Sequence, residues 1–235
     1  MTPAEFWLPV GAAALYLYDS ALLLWQNELV YQRSGRRWIV QGGSGVRLQG
    51  RRLFLPNPLL AHRPHFLVCW SKDVQAASAQ AAEEPADFLQ AVRPIAILNM
   101  LHVLLLLALP VALWSTGAGI LGLAVFALFY LNTFAALAIT WRRRGKFALP
   151  AGRFWLLALD CIACAPFAAN LTRRLALRHG LAGDPLRFAA RHFDDAELAR
   201  TRALVEARLH EEYADPEAAG RGEAILTTVL PRLTR

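Results

Sequence analysis

Cysteine, methionine and lysine are scarce in this 235-residue chain, with three, two and two copies respectively. Three cysteines cannot form the disulfide framework of a small secreted domain. Charged residues are also few, at 18% against ~25% in ordinary globular domains. They are absent altogether from Pro94 to Trp114 and from Ala118 to Trp141. The chain has no internal repeat, no Gly-x-x-x-x-Gly-Lys phosphate loop, no His-Glu-x-x-His, no Gly-x-Ser-x-Gly and no dinucleotide fingerprint. Gly42-Gly-Ser-Gly45 lacks the lysine and the following helix that a phosphate loop needs, so it reads as a turn. These absences remove the well-marked nucleotide, metalloprotease and serine-hydrolase chemistries.

What the chain does have is apolar sequence: 56% of residues are hydrophobic, the mean hydropathy is +0.31, and the apolar residues fall in long blocks. A membrane-spanning helix needs about 20 mostly apolar residues. Residues 94–114 and 118–141 meet that with no charge, and Phe6 to Gln26 meets it with one, Asp19. The first run has no basic stretch before it and a Tyr-Asp-Ser interruption, so we expect a retained first helix (residues 1–26) rather than a cleaved signal.

The net charge of +7 resides mostly in arginine and lacks any nucleic-acid motif, so no nucleic-acid partner is expected. Arginines instead cluster after the first run (Arg33 to Arg63) and after the third (Arg142, Arg143, Arg144). By the positive-inside rule, residues 27–93 are expected in the cytoplasm of a bacterial cell and the N-terminus outside its inner membrane. Ser115 to Ala118 would make a tight external turn. Trp7 and Trp114, and Trp25 and Trp141, would mark the outer and inner interfaces.

Residues 153–179 are ambiguous. Phe154 to Leu171 is short, contains Asp160, Pro166 and Asn170, and has arginines on both sides. A re-entrant or interfacial helix entering and leaving on the cytoplasmic side is favoured over a fourth crossing. Between the first two helices, Arg37–Gln41 and Val46–Gln49 around the glycine turn suggest a hairpin, with Arg51–Leu55 and His65–Trp70 as further strands. Such a small meander needs something to pack on, the membrane surface or the C-terminal segment. Residues 180–235 read as a helical tail, with Asp194-Asp195 capping a helix to about Tyr213 and a short helix from Ala224 to Leu230. The expected fold class is therefore an all-α membrane bundle with a small cytoplasmic antiparallel β-module and a helical C-terminal tail.

At 1.5 Å of rise per residue, Asp19, Asn99, His102, Asn132 and Asp160 all fall roughly 8–12 Å from the cytoplasmic ends of their segments. Polar groups at such depth are paired or functional. As a site, the carboxylates would accept protons or cations beside a titratable His102; as structure, the same groups would be interhelical glue. Cys161 and Cys164 have the spacing of a membrane thiol–quinone pair, but Cys69 is the only remaining cysteine for a relay. Arg142, Arg143, Arg144, Arg173 and Arg174 are expected to meet lipid headgroups. No metal or cofactor is expected. The leading expectation is a non-catalytic membrane anchor, an accessory or assembly factor whose module or tail meets a protein partner, with self-association left open. The alternative is a membrane-embedded enzyme or carrier acting on lipid, quinone or proton through the buried polar layer.

Overall fold

The computed structural model describes residues 3–73, 79–114, 118–213 and 219–234, so the expected turn at 115–117 lies outside the described residues. The chain divides into two compact units. The first comprises residues 1–21, 56–64 and 86–175; the second comprises 22–55, 65–85 and 176–235.

The first unit is helical. It contains α1 (Pro3–Ser20), α2 (Ala86–Trp114), α3 (Ala118–Arg142), α4 (Ala151–Ala163), α5 (Ala165–Ala168) and the start of α6 (Leu171–His179). Helices α2 and α3 are long and apolar enough to cross a membrane. Only 28% and 39% of their most apolar windows are buried. A core helix of a water-soluble protein would instead hide most of its apolar surface.

The side turned inward is narrow. On α3 the buried positions Gly122, Val125, Phe129, Asn132 and Ala136 recur every three or four residues, a seam of the coiled-coil kind. A Cβ on Gly122 would stand 3.1 Å from a Leu113 methyl, a tighter contact than usual, so a side chain there would press on α2 at that level.

The first helix is shorter than the sequence suggests. It stops at Ser20, whose hydroxyl bonds back to the Tyr16 carbonyl, and Leu22–Leu24 form strand β1. The Leu-Leu-Leu-Trp run suits helix and strand alike, and apolar periodicity cannot separate them in so short a stretch. The segment 153–179 is likewise three short helices rather than one. Cys164 leaves helical geometry at φ −127°, ψ 89°, and Pro166 follows at the start of α5. Thirteen residues of α4 span only about 20 Å, less than a bilayer core.

Among the described residues the second unit holds six strands in two sheets: β1, β2 (Glu28–Ser34), β3 (Arg37–Gln41), β4 (Arg47–Leu48), β5 (Arg51–Phe54) and β6 (His65–Cys69). One sheet has the order β1-β5-β4, the other β3-β2-β6, and all pairings are antiparallel. The expected hairpin across Gly42–Gly45 does not form, because β3 and β4 belong to different sheets. The true hairpins turn at Gly35, with φ +62°, and at Gln49-Gly50, both with positive φ. Two-residue turns with left-handed backbone match the twist of paired strands, whereas the four-residue glycine run does not supply them.

Three helices complete the unit: α7 (Pro185–His192), α8 (Asp195–Glu212) and α9 (Ala219–Val229). Asp184 and Asp194 cap α7 and α8 by accepting from Leu186 N and Glu197 N, each at 2.9 Å. Tyr31, Trp38, Phe66, Phe188 and Phe193 stack into an aromatic core. Glu197 of α8 accepts from the Val40 N–H at 3.0 Å, covering a backbone donor on edge strand β3.

Candidate functional site

The polar residues expected in one layer of the first unit separate into two groups, and no hydrogen bond or ion pair among the described residues joins them. One lies where α1 meets α5 and α6. Asn170 is its hub: its amide nitrogen lies 3.2 Å from the Tyr16 carbonyl, 3.1 Å from Asp19 Oδ2 and 2.9 Å from Ser20 Oγ. Its carbonyl oxygen accepts from Arg173 Nη1 at 3.1 Å, and Arg173 Nη2 donates to the Asn57 carbonyl at 2.6 Å. Tyr16 donates its hydroxyl to the Pro58 carbonyl. A buried guanidinium and amide thus tie α1, the 56–64 loop and α6 together, each group satisfying another.

Arg174, the next residue, faces the other way and joins two acids. Its Nη2 donates to Asp160 Oδ2 at 2.6 Å, and its Nε stands 3.9 Å from Asp19 Oδ1. Both carboxylates expected to act as proton acceptors are therefore engaged by one cation.

The second group lies in the seam between α2 and α3. His102 Nε2 is 3.0 Å from Thr133 Oγ1, which itself donates to the Phe129 carbonyl. Asn132 donates to the Leu98 carbonyl at 2.8 Å. Asn99 is fully buried, and neither atom of its amide has a hydrogen-bond partner among the described residues. Among the described residues no carboxylate is paired with His102, so the group has the composition of interhelical glue with one loose member. Among the described residues, no three His, Cys, Asp or Glu side chains converge as a metal site.

The arginines expected at lipid headgroups are placed differently from one another. Arg142, at the end of α3, and Arg143, just beyond it, are exposed, with Arg143 also donating to the Ala91 carbonyl at 3.0 Å. Arg144 lies over the Trp141 ring at 4.1 Å. Arg173 is buried at the hub, and Arg174 is held by two acids. Paired arginines at a helix start look alike in sequence; only the angle between successive helical residues, ~100°, sends one inward and the other to the carboxylates.

The three cysteines are free. Cys161 is buried on α4 and Cys164 caps it, one turn apart. Cys69, in the second unit, accepts from Asn27 Nδ2 at 2.8 Å. Burial pushes its thiol above the ordinary range and nearby Glu28 adds to that, which disfavours the reactive thiolate.

Sequence reasoning missed the most heavily bonded side chain of the second unit. Arg208, on α8, is 2% exposed. It donates to the carbonyls of Trp25 at 3.0 Å and Gln26 at 3.2 Å, and also to those of Glu28 and Gly42. Loss of water lowers its pKa to about 10, yet it stays charged at neutral pH. Nearby, Arg47 and Arg52 each approach Glu211 Oε2 at 2.5 Å. The arginine side of this arrangement has a sequence signal only in retrospect: Arg208 sits on the apolar stripe that includes Val205 and Leu209.

Comparison of the chain with protein-family models, with characterised proteins and with solved structures finds no match. Any functional reading therefore rests on this geometry alone.

Proposed function

We propose that the chain is a multi-pass membrane anchor, without catalytic chemistry of its own, that holds a folded β-and-helix module on one side of a bacterial inner membrane. The module serves as an interaction platform for an accessory or assembly role. The observation that carries this reading is the composition of the second unit. Its strands come from residues 22–69 and its helices from residues 176–235, on either side of the long apolar helices. A packed unit stitched by Arg208 cannot be divided by a bilayer. The chain between residues 86 and 175 must then cross an even number of times.

Crossings by α2 and α3 satisfy that parity, and the broken α4–α5–α6 segment then enters and leaves on one side. Exposed apolar side chains on α2 and α3, such as Leu104, Leu107, Leu123 and Leu131, suit contact with lipid tails. The arginine-rich flanks favour the cytoplasmic side for the module, and α1 of 18 residues, about 27 Å long, would then place the N-terminus outside. The alternative of a carrier or enzyme is disfavoured by the pairing of both acids with Arg174.

Impermeant thiol labelling in intact and opened cells tests the topology. Cys69 reports the strands, and Ala199→Cys in a Cys69→Ser background reports the tail. Both sites are expected to react only after opening. Reaction of one in intact cells and the other only after opening would place them on opposite sides and end this reading.

A further inference from the structure

The sheet β1-β5-β4 has two faces of opposite character, fixed by its register. Leu22 pairs with Phe54 and Leu24 with Arg52, and that face turns inward, with Leu24, Val30 and Phe54 clustered and Arg52 reaching Glu211. The alternate residues turn outward. Leu23 pairs with Leu53, and Leu48 with Arg51. Trp25, Val46 and Leu55 continue the same alternation. Leu23, Trp25, Val46, Leu48 and Leu55 are between 38% and 54% exposed, so a water-facing sheet would show a nearly continuous apolar surface.

The one charge on this face is Arg51. Its guanidinium lies 3.9 Å over the Trp25 ring, and it meets no carboxylate among the described residues. On the opposite face Arg47 and Arg52 are both answered by Glu211. The outer face therefore combines aliphatic side chains, an amphipathic ring and one unanswered cation, the composition suited to the boundary between acyl chains and anionic headgroups. Strand β1 begins two residues after α1 ends in the chain.

We infer that this face docks on the bilayer, with Leu23, Val46, Leu48 and Leu55 at the acyl boundary and Arg51 at an anionic phospholipid headgroup. The inference rests on the membrane reading above and adds a defined lipid-binding surface to it. The module then lies against the membrane by its small sheet and leaves the opposite side of the unit free for partners.

Spin labels on the full-length protein in phosphatidylglycerol-containing vesicles test this, with Cys69→Ser, Cys161→Ala and Cys164→Ala as background. A label at Leu48→Cys is expected to be open to oxygen and shielded from a water-soluble nickel complex; one at Arg36→Cys, in an exposed turn, is expected to be open to nickel. A label at Leu104→Cys on α2 serves as the membrane reference. Leu104 in lipid but Leu48 in water overturns the docked face alone; both in water overturns the membrane reading as well. A Leu48 label shielded from both reagents means a protein surface covers the face, and also overturns the proposal. Arg51→Gln is expected to lower the docked-to-undocked ratio about fivefold on anionic vesicles, with no change on zwitterionic ones. An unchanged ratio on anionic vesicles overturns the headgroup assignment.

Discussion

The two units of the chain differ in what they enclose and what they leave outside. In the first, the seam between α2 and α3 encloses Asn99, His102, Asn132, Thr133 and Thr140 beside Val103, Phe129 and Leu137, while Ile97, Leu104, Leu123 and Phe126 face outward. In the second, Tyr31, Trp38, Phe66 and Phe188 are enclosed, and the charged residues of α8 mostly face outward. One physical rule gives both outcomes. Apolar surface goes where water is absent, and polar groups hidden from water find one another. On the membrane reading proposed above, the outside of the first unit is already dry, so the interior is the place where polar side chains find partners. Arg173 and Arg208 sharpen the parallel, since each is a buried guanidinium that donates to at least one backbone carbonyl distant in sequence within its own unit.

The largest expected effect comes from breaking the second unit at Arg208. Arg208→Met would leave the carbonyls of Trp25, Gln26, Glu28 and Gly42 without their shared donor. Each buried unsatisfied carbonyl costs roughly 1–3 kcal/mol, not additively, so a loss of about 3 kcal/mol or more is expected. That is a large part of the ~5–15 kcal/mol stability of an ordinary domain. Hydrogen exchange is the measurement: amides of β2 and β3 should lose protection while those of α2 and α3 keep it. Equal loss in both units would show that they do not obey separate rules, and no loss would show Arg208 to be a passenger.

The second comparison lies inside the helical unit, between two buried asparagines. Asn132 donates to the Leu98 carbonyl, whereas the Asn99 amide has no partner among the described residues. Asn132→Leu should therefore destabilise the unit by about 0.6–1.7 kcal/mol, the range measured for single hydrogen bonds between membrane helices. Asn99→Leu should be neutral or stabilising, because it removes an unmet polar group from a dry place. Unfolding in graded detergent mixtures gives both values. The reverse order would mean that Asn99 holds a bound molecule, and the carrier reading would return.

How much of this was legible beforehand follows from sequence separation. Helices α2 and α3 were readable because nothing charged interrupts them, and α8 because Asp194 caps a stripe at helical spacing. Strands β3, β5 and β6 lie within a residue or two of the predicted segments, but β2 was hidden behind an apolar run that resembled the tail of a membrane helix. Pairing was legible only in part: the expected meander sets β4 beside β5, as observed, but the glycine turn after β3 suggested β4 as its partner, and the partner is β2. The polar clusters were half legible. Depth arithmetic found Asp19 and Asp160 but could not find the hub, because Ser20, Asn57, Asn170 and Arg173 are brought together only by folding. The one available hint was Asn170 and Arg173 at i, i+3 just after the Pro166 break, a spacing that puts both on one helical face.

The smallest expected effect is a pH dependence confined to the second unit. Glu211 accepts hydrogen bonds from Arg52 and Arg47, and its carboxyl is held below the usual carboxylate range chiefly by the Arg52 bond, with burial acting the other way. A carboxyl whose folded pKa is depressed contributes stability above its unfolded value, and that contribution is lost as pH falls through the folded value. The side chain is more than one-third exposed, so solvent screening limits the contribution to under about 1 kcal/mol. Urea titrations of the wild type and Glu211→Gln, followed through the exchange of β5 amides, isolate it from the other carboxyls. The two proteins should differ at pH 7, by less in high salt, and converge as pH falls below ~4. A difference that persists at low pH would mean that Glu211 acts by packing rather than charge. Arg47 and Arg52 would then be unanswered cations, and the contrast between the two faces of the small sheet would no longer rest on electrostatics.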